Sequence, residues 1–263
     1  LQRIAYLKAA IDIHKDLGHD YRTYYTLVTL ASVYLTLGQY HQVEEWLRPI
    51  VNNQVVLDEP DLRYQIINNL SLAAARQRRK EEAQSLAQQM VAMHSDVSRT
   101  QHALGYMALG DACLVGDVSA QALADAQTAF IQAFNRRHIQ ANVGLEIAAR
   151  TGLAEVAYRQ EQHTGHIDAM NTALAEVEWL YAHLNAKIQD PYGRDPFWPH
   201  WVCYQVLRID GDARADALLA KSHDLLQAWA KDLTDESLRV SFLENVQVNR
   251  VIIAEVEKWN QLN

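Results

Sequence analysis

The chain has 263 residues, and 49% of them are apolar, which is enough for a large hydrophobic core or for an extended array of repeats. It carries 24 lysines and arginines against 32 acidic residues, and the basic residues are scattered along the chain. This balance argues against direct binding to nucleic acid, because a phosphate backbone is recognised by clustered positive charge.

Cysteine usage and hydropathy both favour a cytoplasmic protein. Cys113 and Cys203 lie far apart within helical patterns, which is typical of reduced core thiols and not of a disulfide framework. No apolar run approaches the ~20 residues that a membrane-spanning helix needs, so we expect no membrane partner. The chain begins at Leu1 inside a helical pattern, so we also expect it to be part of a larger protein.

Apolar residues recur with the helical period along the chain, and no segment alternates as a strand does, so we predict an all-α fold. Pro49 falls near the end of a predicted helix and indicates a termination or kink there. Prolines interrupt the pattern at 189–199. The predicted helices cover residues 1–17, 21–37, 40–52, 59–77, 80–95, 98–115, 119–136, 138–160, 165–188, 198–210, 213–231 and 246–260.

The helices repeat in pairs about every forty residues, with turn signals near Gly38, Arg78, Gly116, Gly165 and Gly211. Small residues recur in four of the pairs where two helices must cross closely, because only a small side chain lets the backbones approach. These residues are Ala31, Ser71, Gly110 and Ala154, and in the last pair Tyr204 occupies that position. The clearest pairs read Leu27-x2-Leu30-Ala31-x2-Tyr34 with Leu37-Gly38-Gln39-Tyr40 and Val43-x3-Leu47, and Tyr106-x2-Leu109-Gly110-x2-Cys113 with Ala126-x3-Phe130.

These pairs resemble tetratricopeptide repeats. Residues 238–250, which include Ser241-Phe242-Leu243-Glu244-Asn245-Val246 and Asn249-Arg250, resemble the segment that closes such arrays in bacterial STAND-class ATPases and related large transcriptional regulators. We call residues 238–250 the closing motif. The resemblance implies one domain over 1–263, a right-handed superhelical solenoid of about five to six antiparallel helix pairs. It also implies an irregular proline-rich connection at 189–199 and C-terminal capping helices over 235–263.

The resemblance further implies a sensor that works with a nucleotide-binding domain located N-terminal to the repeats in the parent protein. The chain itself lacks a phosphate-binding loop, a dinucleotide-binding glycine fingerprint and a nucleophile elbow, so we predict no catalytic residues and no cofactor. The sequence Glu161-x-His163-x-x-His166-x-Asp168 has ligand-type side chains, but a polar, exposed turn explains it better than a metal site.

The geometry of such a solenoid places the first helix of each pair on a concave surface, where ligands bind. Polar side chains on these helices are therefore candidate ligand contacts. The candidates are Asn68, Arg76, Asp111, Glu155, Tyr158, Arg159, Gln205 and Arg208.

A second candidate region is rich in aromatic residues beside the proline-rich connection. Tyr192, Trp198 and Trp201 lie close to Arg194 and Asp195. Aromatic residues in such a place serve packing between repeats or form a pocket for a peptide side chain or a small effector.

Three functions are compatible with these features. The first is a protein or peptide sensor that holds an extended segment in the groove. The second is a small-molecule effector domain with an aromatic pocket near Trp198. The third is a scaffold for oligomerisation, with self-association through terminal repeats, for which Ile4, Leu7 and Ile11 are expected to be exposed.

Overall fold

A computed structural model describes residues 2–93, 98–116, 118–136, 143–165, 167–184 and 194–262. Within these ranges the chain forms 14 α-helices and no strand, so the predicted all-α fold is confirmed for the described residues. None of the described helices is both long enough and apolar enough to cross a bilayer.

The helices follow one another with short connections. They are α1 (Gln2–Asp16), α2 (Asp20–Thr36), α3 (Tyr40–Leu47), α4 (Gln54–Leu57), α5 (Pro60–Arg76), α6 (Lys80–Ala92), α7 (Arg99–Cys113), α8 (Ala120–Arg136), α9 (Val143–Thr164), α10 (Ile167–His183), α11 (Trp198–Asp210), α12 (Arg214–Asp232), α13 (Glu236–Glu244) and α14 (Gln247–Leu262).

Most predicted helices are found, and two further helices, α4 and α13, lie outside the predicted ranges. The short α4 begins where the Asn53 side chain accepts a hydrogen bond from the amide of Val55, and α13 begins where Asp235 accepts one from Leu238. Helix α3 ends at Leu47 and not at residue 52, because Pro49 cannot supply an amide hydrogen to continue it.

Each helix packs against the next in sequence, from α1 on α2 to α11 on α12, apart from the small α4. A second set of contacts joins α2 to α5, α5 to α7, α7 to α9 and α9 to α11. These five helices therefore form a continuous layer, and we call them the inner helices. The first helix of each predicted pair belongs to this layer.

Packing between α7, α8 and α9 depends on Phe130 and two glycines. A Cβ atom on Gly110 would lie 2.6 Å from the Phe130 ring, and one on Gly152 would lie 2.5 Å from it. The fully buried ring of α8 is thus seated between two bare stretches of backbone. Gly110 was predicted as a close-approach residue, and Ala31, Ser71 and Ala154 are also buried.

The closing motif contacts the turn after α2 and the segment before α11. The side-chain amide of Asn245, the residue after α13, donates a hydrogen bond of 3.3 Å to the carbonyl oxygen of Gly38, in the turn after α2. Phe242 is buried beside Phe197, with ring centroids 6.4 Å apart. The Asn249 side chain donates to the carbonyl of Phe242 at 2.8 Å, which fixes α14 relative to α13.

The first helix does not expose the residues that the scaffold hypothesis named. Ile4 and Ile11 are buried against α2, and Leu7 is half-buried, so that expectation is wrong for Ile4 and Ile11. The opposite face of α1 carries exposed apolar side chains, including Tyr6, which is 66% exposed, and Ile13, which is 57% exposed.

The contact between α13 and the Gly38 turn can be tested by adding one methyl group. Gly38 has φ +75°, and a Cβ there would lie 2.7 Å from the Ser241 carbonyl oxygen. Gly18 has φ +66° and open space around its Cβ position. We expect Gly18→Ala to cost about 1 kcal/mol of unfolding free energy from backbone strain alone, and Gly38→Ala to cost at least ~1 kcal/mol more from the clash. Urea denaturation of both variants measures the difference, and equal losses would contradict the docking of α13.

A second prediction concerns His200, which is buried at the start of α11. Burial, together with the positive charge of Lys221, lowers the pKa of His200 to about 4 from its usual 6.5. Between about pH 4 and pH 6.5 the unfolded chain therefore binds a proton at His200 and the folded chain does not. The full unfolding free energy is present above about pH 6.5, and this contribution is lost as the pH falls towards 4.

This loss should total about 3 kcal/mol and should be absent from His200→Leu. The measurement is the unfolding free energy in urea at several pH values between 4 and 7. The control is His41→Gln, since the His41 side chain is 84% exposed. A His200→Leu curve parallel to the wild-type curve would refute the assignment.

Candidate functional site

A pocket with a volume of about 360 Å³ opens between the inner helices α5, α7, α9 and α11, with α14 along one side. Aromatic and charged side chains mix on its wall. The lining residues are Ala75, Arg76, Arg78, Asp111, Leu114, Val115, Gly116, Glu155, Tyr158, Arg159, Asp195, Trp198, Trp201, Gln205, Gln247, Val248 and Val251.

The pocket unites the two candidate regions that the sequence suggested separately. The predicted groove residues that line it are Arg76, Asp111, Glu155, Tyr158, Arg159 and Gln205, and the predicted aromatic residues that line it are Trp198 and Trp201. They come from four helices because the inner helices lie side by side, with successive first helices facing the same way.

Two of the predicted residues, Asn68 and Arg208, do not line this pocket. Asn68 is buried in α5, with 4% of its surface exposed. Arg208 lies on the surface and forms an ion pair of 3.2 Å with Asp216. Tyr192 lies outside the described residues.

Two ion pairs hold the segment before α11 against the inner helices. Arg76 of α5 lies 3.1 Å from Asp195, and Arg194 lies 3.1 Å from Asp111 of α7. The side chains of Arg194 and Asp111 are 3% and 8% exposed, so that pair is shielded from water. In the other pair Asp195 is 6% exposed and Arg76 is 23% exposed, so it is shielded mainly at the carboxylate.

Burial of the Asp111 and Asp195 carboxylates disfavours their charged form. Loss of solvation raises the pKa of Asp111 and of Asp195, and the guanidinium beside each carboxylate opposes that rise. The pKa of Arg76 is raised, because the charge of Asp195 and its neighbours outweighs the cost of burying the guanidinium. Each pair therefore depends on both partners being present.

Glu155 organises the opposite wall. One carboxylate oxygen accepts a hydrogen bond of 2.6 Å from the indole nitrogen of Trp198, and the other pairs with Arg159 one helical turn away. Arg159 also donates to the carbonyl oxygen of Leu114 at 3.1 Å. The orientation of Trp198 and Arg159 is consequently fixed by a shared carboxylate.

Tyr158 and Gln205 meet across α9 and α11. The Gln205 amide donates to the Tyr158 hydroxyl at 3.5 Å, and burial raises the pKa of that hydroxyl. A tyrosine hydroxyl is already neutral at physiological pH, so Tyr158 is available there as a hydrogen-bonding group without charge. Both side chains are only partly buried, which leaves polar atoms available inside the pocket.

Sequence reasoning missed Arg78 and the contribution of α14. The sequence marks Arg78 as a turn signal and predicts Gln247, Val248 and Val251 as part of the C-terminal capping helices, whereas all four residues line the pocket. The available signal for Arg78 was its position, since the corresponding turns at Gly38 and Gly211 have glycine. Nothing local indicates that α14 reaches the pocket.

Among the described residues, no group of three His, Cys, Asp or Glu side chains is arranged to hold a metal ion. One member of the motif at 161–168, His166, lies outside the described residues. Comparison of the chain with protein-family models, curated proteins and solved structures finds no match. The tetratricopeptide resemblance therefore rests on the repeat residues themselves.

The buried pair between Asp111 and Arg194 gives a stability prediction. Asp111→Asn should cost about 3 kcal/mol or more of unfolding free energy, since it removes the carboxylate that compensates a buried guanidinium. Asp216→Asn is the control, because it breaks the Arg208–Asp216 pair, whose side chains are 56% and 50% exposed. That change should cost about 1 kcal/mol or less.

Denaturant titration at neutral pH measures both variants. Equal and small losses would show that the Asp111 pair contributes no more than a surface pair, and the proposed support of the pocket would be wrong.

Proposed function

We propose that this chain is a non-catalytic sensing module of a larger cytoplasmic signalling ATPase or transcriptional regulator, and that a small molecule bound in the pocket is its signal. The observation that carries the proposal is the convergence of two independently predicted sets of residues, the groove residues and the aromatic residues, on one cavity. Side chains from helices distant in sequence meet there, which is how ligand sites between helices are built.

The size and shape of the cavity favour a compact ligand. Its volume of about 360 Å³ lies within the range of small-molecule sites. Val248 and Val251 of α14 close one side, where an extended peptide would have to continue along the inner helices. A small effector therefore suits the pocket better than an extended segment, and a peptide could place only one side chain in it.

The lining chemistry favours binding over catalysis. In the part of the chain that the structure describes, the pocket wall has no His, Cys, Ser, Thr or Lys side chain to act as a nucleophile or a neutral-pH base. Its carboxylates, Asp111, Glu155 and Asp195, each have a guanidinium partner. Such groups hold a wall in shape and give a ligand fixed polar contacts.

The packing of the helices in sequential pairs supports the wider role. The contacts of α2, α5, α7, α9 and α11 with one another are those expected of a tetratricopeptide solenoid. The closing motif resembles the end of sensor arrays in STAND-class regulators. A ligand that bridges α5, α9, α11 and α14 would favour one relative arrangement of the repeats, which is a direct way to signal to a neighbouring domain.

Thermal-shift screening of a metabolite library tests the proposal. A ligand at 100 times its Kd stabilises the folded state by about 2.7 kcal/mol, which is readily seen as a rise in Tm. We expect compounds that stabilise the wild-type chain to lose their effect in Trp201→Ala and in Gln205→Ala. The control is Trp259→Ala on α14, which removes an indole that is 41% exposed and lies outside the pocket.

Calorimetry on each hit then gives the Kd for every variant. Hits that bind Trp201→Ala and Gln205→Ala as tightly as the wild type would place the ligand elsewhere and contradict the proposal. Exclusive binding of extended peptides, with no small-molecule hit, would favour the groove-binding sensor instead.

A further inference from the structure

The turn between α5 and α6 differs from the other turns of its kind. The amide of Arg78 donates to the Ala75 carbonyl at 3.0 Å, and the amide of Arg79 donates to the Ala74 carbonyl at 2.9 Å. This pair of bonds ends a helix with one residue in the left-handed conformation, a position usually held by glycine. Arg78 occupies it with φ +61°.

Elsewhere in the described chain, this position is glycine. Gly38 and Gly211 end α2 and α11 with the same two hydrogen bonds and φ of +75° and +76°. Among the described residues, Arg78 is the one non-glycine residue with positive φ. Such a conformation is strained for a side chain with a Cβ atom, and strained residues concentrate at functional sites.

Arg78 also stands out electrostatically. It lines the pocket and is exposed, whereas the lining residues Arg76 and Arg159 are engaged by Asp195 and Glu155. The third lining carboxylate, Asp111, is engaged by Arg194. Within the described residues, Arg78 is thus the lining cation that has no acidic partner. When Arg194 is counted with the lining residues, four guanidinium groups stand against three carboxylates, which is a surplus of one positive charge.

We propose that the pocket recognises a small aromatic anion, whose carboxylate or phosphate binds Arg78 while its flat ring lies against Trp201 and Trp198. The inference rests on the proposed function and adds the ligand class. A guanidinium forms paired hydrogen bonds with either anionic group, and an indole face accommodates a flat ring. The neutral Tyr158 hydroxyl and the Gln205 amide supply further hydrogen bonds without adding charge.

This assignment explains why an arginine occupies the turn residue with positive φ, which is glycine in the corresponding turns. Glycine there would relieve the backbone strain, and the proposed binding role gives the arginine side chain a use that glycine cannot supply. The turn places its backbone at the end of α5, two residues after Arg76, at the edge of the pocket. A long, flexible cation at that edge can reach an anion inside.

Three indole probes with the same ring test the proposal by isothermal titration calorimetry: indole-3-acetate, indoxyl phosphate and the neutral indole-3-acetamide. We expect at least one anion to bind the wild-type chain about tenfold more tightly than the amide. That preference should weaken as salt is added, because the Arg78 side chain is exposed. The preferred anion identifies whether the group recognised is a carboxylate or a phosphate.

Arg78→Gly is the decisive variant, because its effects on folding and binding have opposite signs. It should leave Tm unchanged or raise it by a few degrees as strain is relieved. It should also abolish the preference for the anion and leave amide binding unchanged. Arg78→Lys should retain part of the preference, and Arg208→Gln, which changes an arginine outside the pocket, should retain all of it.

The outcomes separate the two proposals. Equal binding of anion and amide in the wild type, with loss of both in Trp201→Ala, would overturn the anion assignment and support the pocket as a ligand site. Anion binding that survives Arg78→Gly would also overturn the assignment. If none of the three probes bound, the aromatic-anion class would be rejected, whereas binding of other hits at Trp201 and Gln205 would still support the proposed function.

Discussion

Buried ion pairs at Arg194 and Asp195 fasten the start of α11 to α7 and α5. Removing water from a charged group is costly, and the attraction between partners offsets that cost only when both are held at short distance. The adjacent residues Phe197 and Trp198 follow immediately along the chain. The position of the aromatic wall of the pocket is therefore set by electrostatic contacts made just before the helix begins.

The same region contacts the closing motif, which in turn contacts the turn after α2. Phe197 packs edge-on against Phe242 of the closing motif, and Asn245 of that motif bonds to the Gly38 turn. These contacts place the end of α13 beside the turn after α2, and α14 packs against α11 and α12. Once α14 is so placed, Val248 and Val251 complete the pocket, which the inner helices alone would leave open along one side.

Much of this fold could be predicted from local sequence. Helical periodicity, together with glycine and proline positions, gave most of the helices, because these signals act within a few residues. The small residues at helix crossings were also readable, and Gly110 lies against Phe130 as close packing requires. The second partner of that ring, Gly152, was not identified, since its role depends on a helix one pair further along.

The repeat pattern by itself determined which face of each inner helix carries Arg76, Glu155 and Gln205, and this is why these side chains line one pocket. Only the tertiary structure decided which of these residues are buried, which line the pocket and which are exposed to solvent. Asn68 is covered by packing, and Arg208 extends past the rim to Asp216, although both follow the same periodicity. Closure by α14 and the isolation of Arg78 from acidic partners depend on contacts between distant segments, and a local period carries no information about those.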